Sequence, residues 1–242
     1  MNHQVTPVEE LTDTDKRQMH QLMERHFDNM DWDVFLQDLA EKNWVIRLFD
    51  EKTGELTGFS TQMLFPIEID GKEVLAVFSG DTIVDRESWG TMALGLAAVR
   101  LAFSLIGQHP GRELYWFLIS KGFRTYRFLP VYFHEFFPRH DQQTPARAKE
   151  IIDACGRRKF SDRYDPTTGI VRADENGCRL RDGVGTVTDE RLNDPHVKFF
   201  LERNPGHAAG NELCCIAALK PENFVARARK WVEVDEGSKA NS

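Results

Sequence analysis

The segment Val77-Phe-Ser-Gly-Asp-Thr82 sets a hydroxyl and a carboxylic acid inside an otherwise apolar run. Side chains alternate along an extended chain, so Ser79 and Asp81 are expected on one face, with Phe78, Gly80 and Thr82 on the other. An acid in such a strand is costly unless it is paired or opens onto a cleft. Asp81 is therefore the first candidate for a general base or for holding a cationic group, with Ser79 beside it. A structural hydrogen bond to a neighbouring loop is the plainer alternative. Just downstream, Asp85-Arg-Glu-Ser-Trp-Gly90 reads as a loop and Thr91 opens a helix. The first turn of a helix has unpaired N–H groups and a partial positive charge. Trp89, Gly90, Thr91, Met92 and Ala93 thus form a candidate pyrophosphate site. Gly90 lets the backbone approach closely and Thr91 adds a hydroxyl, while Arg86 partly offsets Asp85 and Glu87. The same residues also read as an N-cap at Ser88 and a turn at Gly90.

These residues need a frame. A short strand near Val5 leads into a helix that Thr12-Asp-Thr-Asp15 would cap, with Met19, Leu22, Met23 and His26 or Phe27 recurring at helical spacing. A second helix is expected from Trp32 to Glu41. Trp44 to Phe49 reads as a strand, Asp50 to Gly54 as a turn and Leu56 to Phe65 as the returning strand of a hairpin. Asp70-Gly71 marks another hairpin turn before a long strand from Val74 to Val84. The helix from Thr91 to Ile106 should stop at Gly107 and Pro110-Gly111. Leu114 to Ile119 is a continuous apolar run, as expected of a central strand covered on both faces and paired in parallel with its predecessor. The aromatic stretch after Ser120 predicts helix, interrupted at Pro130 and ended at Pro138. Further helices are expected at Thr144–Cys155, Pro195–Glu202 and Pro221–Trp231, with a strand at Leu213–Leu219. The whole is an α/β chain with a mixed, mostly antiparallel sheet, helices on both faces and an elaborated C-terminal half. Residues 1–242 read as one domain, with 139–190 an insertion or lid and 235–242 a flexible tail.

Composition narrows the function classes. The 242 residues carry a formal net charge of −7, a poor match to a phosphate-neutralising nucleic-acid binder. Cys155, Cys178, Cys214 and Cys215 are too sparse for a disulfide scaffold and lack zinc-ligand spacing, so reduced thiols and no metal are expected. The Met92–Ile106 stretch holds Arg100 and is too short to span a bilayer. With no apolar leader near the start, a cytoplasmic location and no membrane partner are expected. Gly183-Val-Gly lacks the third glycine of a dinucleotide fingerprint.

The order of elements, carried by LTDTDKRQMHQLMERHF, WVIRLFDEKTGELTGFSTQML, VFSGDTIVDRESWGTMALG and ELYWFLISKG, resembles the GNAT superfamily of N-acetyltransferases over about residues 5–137. The resemblance implies a GNAT-like acyl-CoA N-acyltransferase fold. In it, two splayed parallel strands admit the arm of acetyl-CoA or another acyl-CoA, and the loop after the fourth strand binds the pyrophosphate. The family motif Arg/Gln-x-x-Gly-x-Gly/Ala falls on Glu87 to Met92, where only Gly90 matches. Branches with degraded loops take the acyl group from an acyl carrier protein, a second possible donor. Residues 112–163 carry 11 basic and six acidic side chains, a local excess that suits the phosphates of CoA, an acidic carrier or simply nearby acids. The resemblance further implies a backbone N–H of the 77–82 strand at the carbonyl, and a Tyr as acid for the leaving thiolate. Tyr132 and Tyr126 are the candidates. The Phe-rich stretch around them reads as core, or as the wall of a pocket for a long acyl chain. Acyl transfer to a small-molecule or other amine-type acceptor by direct attack is the expected function. A non-catalytic GNAT-like binding protein is the alternative, and the oligomeric state stays open.

Overall fold

The computed structural model describes residues 2–85, 88, 92–174, 179–180 and 189–230. β1 (Asn2–Pro7) leads to α1 (Asp13–His26), which opens on a reciprocal capping box between Thr12 and Asp15. Met19, Leu22, Met23 and His26 are buried along it at the spacing of one helix face. β2 (Phe27–Asp28) is followed by α2 (Trp32–Ala40), capped by the Asp31 carboxylate on the Val34 N–H. β3 (Trp44–Phe49), β4 (Leu56–Ile69) and β5 (Lys72–Val84) form an antiparallel meander. Asp70 and Gly71 both take positive φ at the β4–β5 turn, as a tight hairpin requires.

α3 (Ala93–Gln108) then crosses to β6 (Leu114–Ser120). Gly107 lies inside α3 and does not end it; Pro110 follows one residue after the cap at His109. The aromatic stretch forms α4 (Phe123–Tyr126) and α5 (Phe128–Tyr132). The break falls at Arg127 and not at Pro130. Pro130 sits in the first turn of α5, where a missing N–H leaves no helical bond unmade. α6 (Ala146–Phe160), β7 (Tyr164–Asp165), β8 (Ile170–Val171), β9 (Arg179–Leu180), α7 (Pro195–Arg203) and β10 (Glu212–Ala218) complete the elements. The closing helix starts later than expected: a 3-10 turn at Pro221–Asn223 comes first, and helical residues begin at 226. Trp231 and the 235–242 tail lie outside the described residues.

Eight strands form one sheet in the order β1-β3-β4-β5-β6-β10-β8-β7, and β2 pairs with β9 apart from it. Among the described residues only the β5–β6 pairing is parallel; the other pairings in the sheet are antiparallel. The sheet is open, and it is mixed and mostly antiparallel as the sequence predicts. α1 and α2 pack on one face against Val45, Phe59 and Ile83, and α6 extends that layer over Phe65, Phe78 and Phe117. The opposite face carries α3, α4, α5 and α7 over Leu75, Val77, Leu118 and Cys215. Part of the span read as an insertion or lid is thus framework: Ile151, Ile152 and Cys155 of α6 are core residues, and β7 and β8 extend the sheet. Cys155, Cys214 and Cys215 are buried free thiols, while Cys178 lies outside the described residues. Among the described residues no helix is long and apolar enough to cross a membrane.

Candidate active site

The site begins where two strands part. β5 pairs with β6 from Leu75↔Leu114 to Ser79↔Leu118 and no further. β6 continues to Ser120 with β10 as its partner, and β5 continues to Val84 with β4 as its partner. From Gly80 to Ile83 the β6-facing edge of β5 has no ladder partner among the described residues, so backbone polar groups there face the opening.

A bulge accompanies the parting. Ser60 pairs with Thr82 and Gln62 with Ser79, so Gly80 and Asp81 together oppose the single residue Thr61. The extra residue shifts the alternation by one. Ser79 and Thr82 share the α3 face, and the expected sharing of a face by Ser79 and Asp81 is overturned. Asp81 instead has Asp38, Lys42, Lys121 and Glu212 as its charged neighbours, on the α2 side. Glycine is required at the bulge: a Cβ on Gly80 would lie 2.6 Å from Thr61 Oγ1 and 2.9 Å from Lys42 Cε.

On the α3 face a chain of hydrogen bonds crosses three strands. Trp116 Nε1 donates to Ser79 Oγ at 2.7 Å, Ser79 Oγ donates to Gln62 Oε1 at 2.9 Å, and Gln62 Nε2 donates to Ser60 Oγ at 2.8 Å. Ser60 and Thr82 hydroxyls bond each other at 2.7 Å. Ser79 is therefore committed as a link that fixes the indole and the amide, and it is not free to act as a base. These groups and Leu94, Gly95 and Tyr132 line a cleft of about 350 Å³, counting space open to solvent. The Tyr132 hydroxyl lies against Gly95, where an added Cβ would overlap it. Burial pushes the Tyr132 phenol up to about 12, so it holds its proton at neutral pH. Tyr126 is not brought to this cleft. It is fully buried among Phe136, Phe199 and Phe200, and its hydroxyl donates to the Pro138 carbonyl at 2.9 Å.

On the opposite face the half-buried Asp81 carboxyl is pushed up to about 6, chiefly by burial and then by Asp38. Lys42 and Lys121 pull it back and Glu212 adds to the rise. The Lys42 ammonium is itself buried and held by Asp38, through its carboxylate at 2.6 Å and its carbonyl at 2.8 Å. Its pKa is lowered, burial outweighing the Asp38 charge. The Thr61 hydroxyl, opposite the bulge, is buried without a hydrogen-bond partner among the described residues.

The pyrophosphate candidates divide. Trp89, Gly90 and Thr91 lie outside the described residues. Met92 is the N-cap of α3 and Ala93 its first residue, and among the described residues no side chain caps that end. Asp85, which would repel an anion there, is paired with Arg25 at 3.0 Å and His26 at 3.2 Å from the end of α1. The basic excess of residues 112–163 is largely answered inside the chain. Arg112 pairs with Glu73, Arg139 with Asp141, Arg147 with Asp70 and Glu113, Lys149 with Asp153 and Lys159 with Asp38 and Glu41.

Four site residues are not singled out by the sequence. Gln62 and Ser60 repeat at period two within an apolar strand, a signal like the one that flagged Ser79. Trp116 is hidden inside an apolar run. Lys42 carries no local signal, because only the bulge brings Gly80 and Asp81 against it.

No protein-family model matches the sequence, and no curated protein matches it. Solved structures do. A GNAT family N-acetyltransferase from Escherichia coli, in complex with CoA, matches at 14% identity and a TM-score of 0.39, over 53% of this chain and 68% of that one. A probable N-acyltransferase from Enterococcus faecalis matches at 12% identity and a TM-score of 0.44, over 90% of this chain and 66% of that one. Glucosamine-6-phosphate N-acetyltransferase from Arabidopsis thaliana matches at 15% identity and a TM-score of 0.36, over 49% of this chain and 82% of that one.

Proposed function

We propose that this chain transfers an acyl group from acyl-CoA to an amine-type acceptor by direct attack. The observation that carries the reading is the parting of β5 and β6 past Ser79 and Leu118, beside the uncapped N-terminus of α3. That opening suits an extended thioester arm lying between two strands, its carbonyl oxygen accepting a hydrogen bond from the freed edge of β5. The first N–H groups of α3, at Ala93 and Leu94, suit the pyrophosphate. Trp89, Gly90 and Thr91 belong to the same proposed subsite.

The acid and base fall on opposite faces of the sheet. Asp81, on the α2 side, takes a proton from the acceptor nitrogen as it attacks the thioester carbon. The C–S bond breaks, and the departing thiolate on the α3 side takes its proton from the Tyr132 hydroxyl. A base with a pKa near 6 is largely ionised at neutral pH, and an acid near 12 is fully protonated. Ser79 holds Trp116 and Gln62 in place and exchanges no proton. CoA is preferred to a carrier protein as donor because the basic residues that would greet an acidic carrier are paired with the chain's own acids.

Calorimetric titration with CoA and acetyl-CoA tests the reading, with thermal shift at millimolar ligand as a second readout. Binding with one site per chain and a raised melting temperature is expected. No heat and no shift with either compound would overturn it and leave the non-catalytic alternative.

A further inference from the structure

Asp85 stands where an acid is unexpected. It follows directly on β5, at the head of the segment that leads to Ala93 and Leu94, and its charge would repel an anion held there. Its contacts give it another role. The Asp85 backbone N–H donates to the Thr57 carbonyl at 2.8 Å, which ties the chain to β4. Its own carbonyl accepts from the N–H of the buried Ser88 at 2.9 Å. The carboxylate reaches the last turn of α1: Oδ2 lies 3.0 Å from Arg25 Nη1, and Oδ1 lies 3.2 Å from His26 Nε2. The His26 side chain is only 5% exposed, so that half of the clamp is inside the protein. α1 packs on one face of the sheet with Val45, Phe59 and Ile83, and α3 on the other with Ile46 and Leu48. Asp85 thus tethers the chain to the α1 face at the point where it sets out for the α3 face.

We propose that Asp85 is a positioning residue for the donor. Clamped by Arg25 and His26, it fixes the origin of the segment that ends at the α3 N-terminus, so that the amides proposed for the diphosphate are preorganised. The inference rests on the acyl-CoA reading. Two effects compete at this carboxylate. Its charge disfavours a nearby anion, but Arg25 offsets that charge at 3.0 Å, and salt screens the remainder within about 8–10 Å. Its tether spares the ordering that a loose segment would undergo as the diphosphate binds. Fixing the backbone of a single free residue lowers affinity by about five- to thirtyfold, so the tether outweighs the screened charge. The two roles predict opposite signs when the carboxylate is removed. A repelling acid predicts tighter binding of CoA, and an anchor predicts weaker binding.

The test compares the full chain with Asp85→Asn and, separately, with His26→Leu. Asparagine keeps the size of the side chain but has a single acceptor oxygen, so it cannot serve both Arg25 and His26. It also releases the Arg25 cation, so a site ruled by charge would gain affinity on both counts. His26→Leu keeps the carboxylate and its Arg25 partner and cuts the buried half of the clamp. Calorimetric titration with CoA should give a Kd at least about fivefold higher in each variant. With acetyl-CoA and a panel of small primary amines, KM for the thioester should rise by the same factor while kcat stays within about twofold. Acetyl-pantetheine, which has the thioester arm without the diphosphate, is the control. Its kcat/KM should stay within about twofold, whereas general damage to the structure would lower it as well. Circular dichroism and the melting temperature identify the folded variants on which these values are read, and the two substitutions cut the clamp from opposite ends so that one misfolded variant does not decide the matter. A CoA Kd that is unchanged or lower in a folded variant would overturn the clamp alone. So would equal losses with acetyl-CoA and acetyl-pantetheine. Silence of CoA and acetyl-CoA with the unsubstituted chain would overturn the acyl-CoA reading and this inference with it.

Discussion

Replacing Asp81 with Asn separates a catalytic from a structural carboxylate, because the two roles predict opposite signs in stability. The carboxyl titrates near 6 in the folded chain against 3.8 when unperturbed, burial being the largest cause. A carboxyl whose pKa is raised by folding favours the native state at low pH and loses that contribution as pH climbs through the folded value. At about 1.36 kcal/mol per pH unit, the ionised form costs up to about 3 kcal/mol at alkaline pH, less whatever solvent screens. Between pH 5 and pH 8 roughly half of that is at stake, about 1.4 kcal/mol, or roughly 3–6 °C in Tm for a chain of this size. Asp81→Asn should therefore gain more Tm at pH 8 than at pH 5 when the two proteins are compared by scanning calorimetry. Activity should move the other way. Thiol release from acetyl-CoA against a panel of small primary amines should show kcat/KM rising about tenfold per pH unit below about pH 6 and flat above. In Asp81→Asn that limb should vanish and turnover should drop 10²–10⁴-fold, the usual worth of a positioned base. A variant that keeps its turnover, or that loses Tm equally at both pH values, would refute the assignment and make Asp81 a structural acceptor.

Other expectations follow from the same geometry. Lys42→Met removes a cation that holds the Asp81 pKa down, so the acid limb of the kcat/KM profile should move to higher pH; a limb that stays put would separate the two residues. Tyr132→Phe should cut kcat by at least 10²-fold for about 0.5–1.5 kcal/mol of stability, whereas Tyr126→Phe, which leaves the Pro138 carbonyl unpaired, should cost about 1–3 kcal/mol in denaturant titration and leave kcat intact. Gly95→Ala should lose about 1–3 kcal/mol despite the better helix propensity of alanine, because the new methyl overlaps the Tyr132 hydroxyl; a stabilised Gly95→Ala would show that Tyr132 is free to move.

Much of the frame was legible because patterns there are local. Trp44–Phe49 is an apolar run broken only by Arg47 and followed by a turn cluster, Asp70-Gly71 demands a hairpin, and α1 and α2 carry caps and one apolar stripe each. β7, β8 and β9 were not legible, since two residues have no period. Nor was the choice between Tyr126 and Tyr132. Both sit in short aromatic helices, and only the packing of α7 and α3 decides that one hydroxyl is spent on Pro138 and the other reaches the cleft. The partition of Ser79 and Asp81 was missed because strict alternation was assumed, although a glycine between two polar residues in a strand is itself a mark of a bulge. Gly80 was that mark.

The bulge matters beyond that correction. Acyl transfer by direct attack needs a base beside the incoming nitrogen and an acid beside the outgoing sulfur, and these atoms lie on different sides of the same carbonyl carbon. A continuous sheet would wall one side from the other. With regular pairing, Ser79 and Asp81 would both face α3, the acid and base would crowd one cleft, and Asp81 would sit among the hydroxyls of the Ser60–Thr82 chain. One extra residue at Gly80–Asp81 sends the carboxylate to the α2 side, and the pairing of β5 with β6 ends next to it, at Ser79 and Leu118. The raised Asp81 pKa follows from the same displacement, which buries the carboxyl and then exposes it to the charge of Asp38. Strand parting, bulge and tuned acid are thus one structural event. Restoring regular pairing by deleting Gly80 should abolish turnover and return the titration of Asp81 toward 3.8 together; a deletion variant that lost one without the other would show that the two are separate.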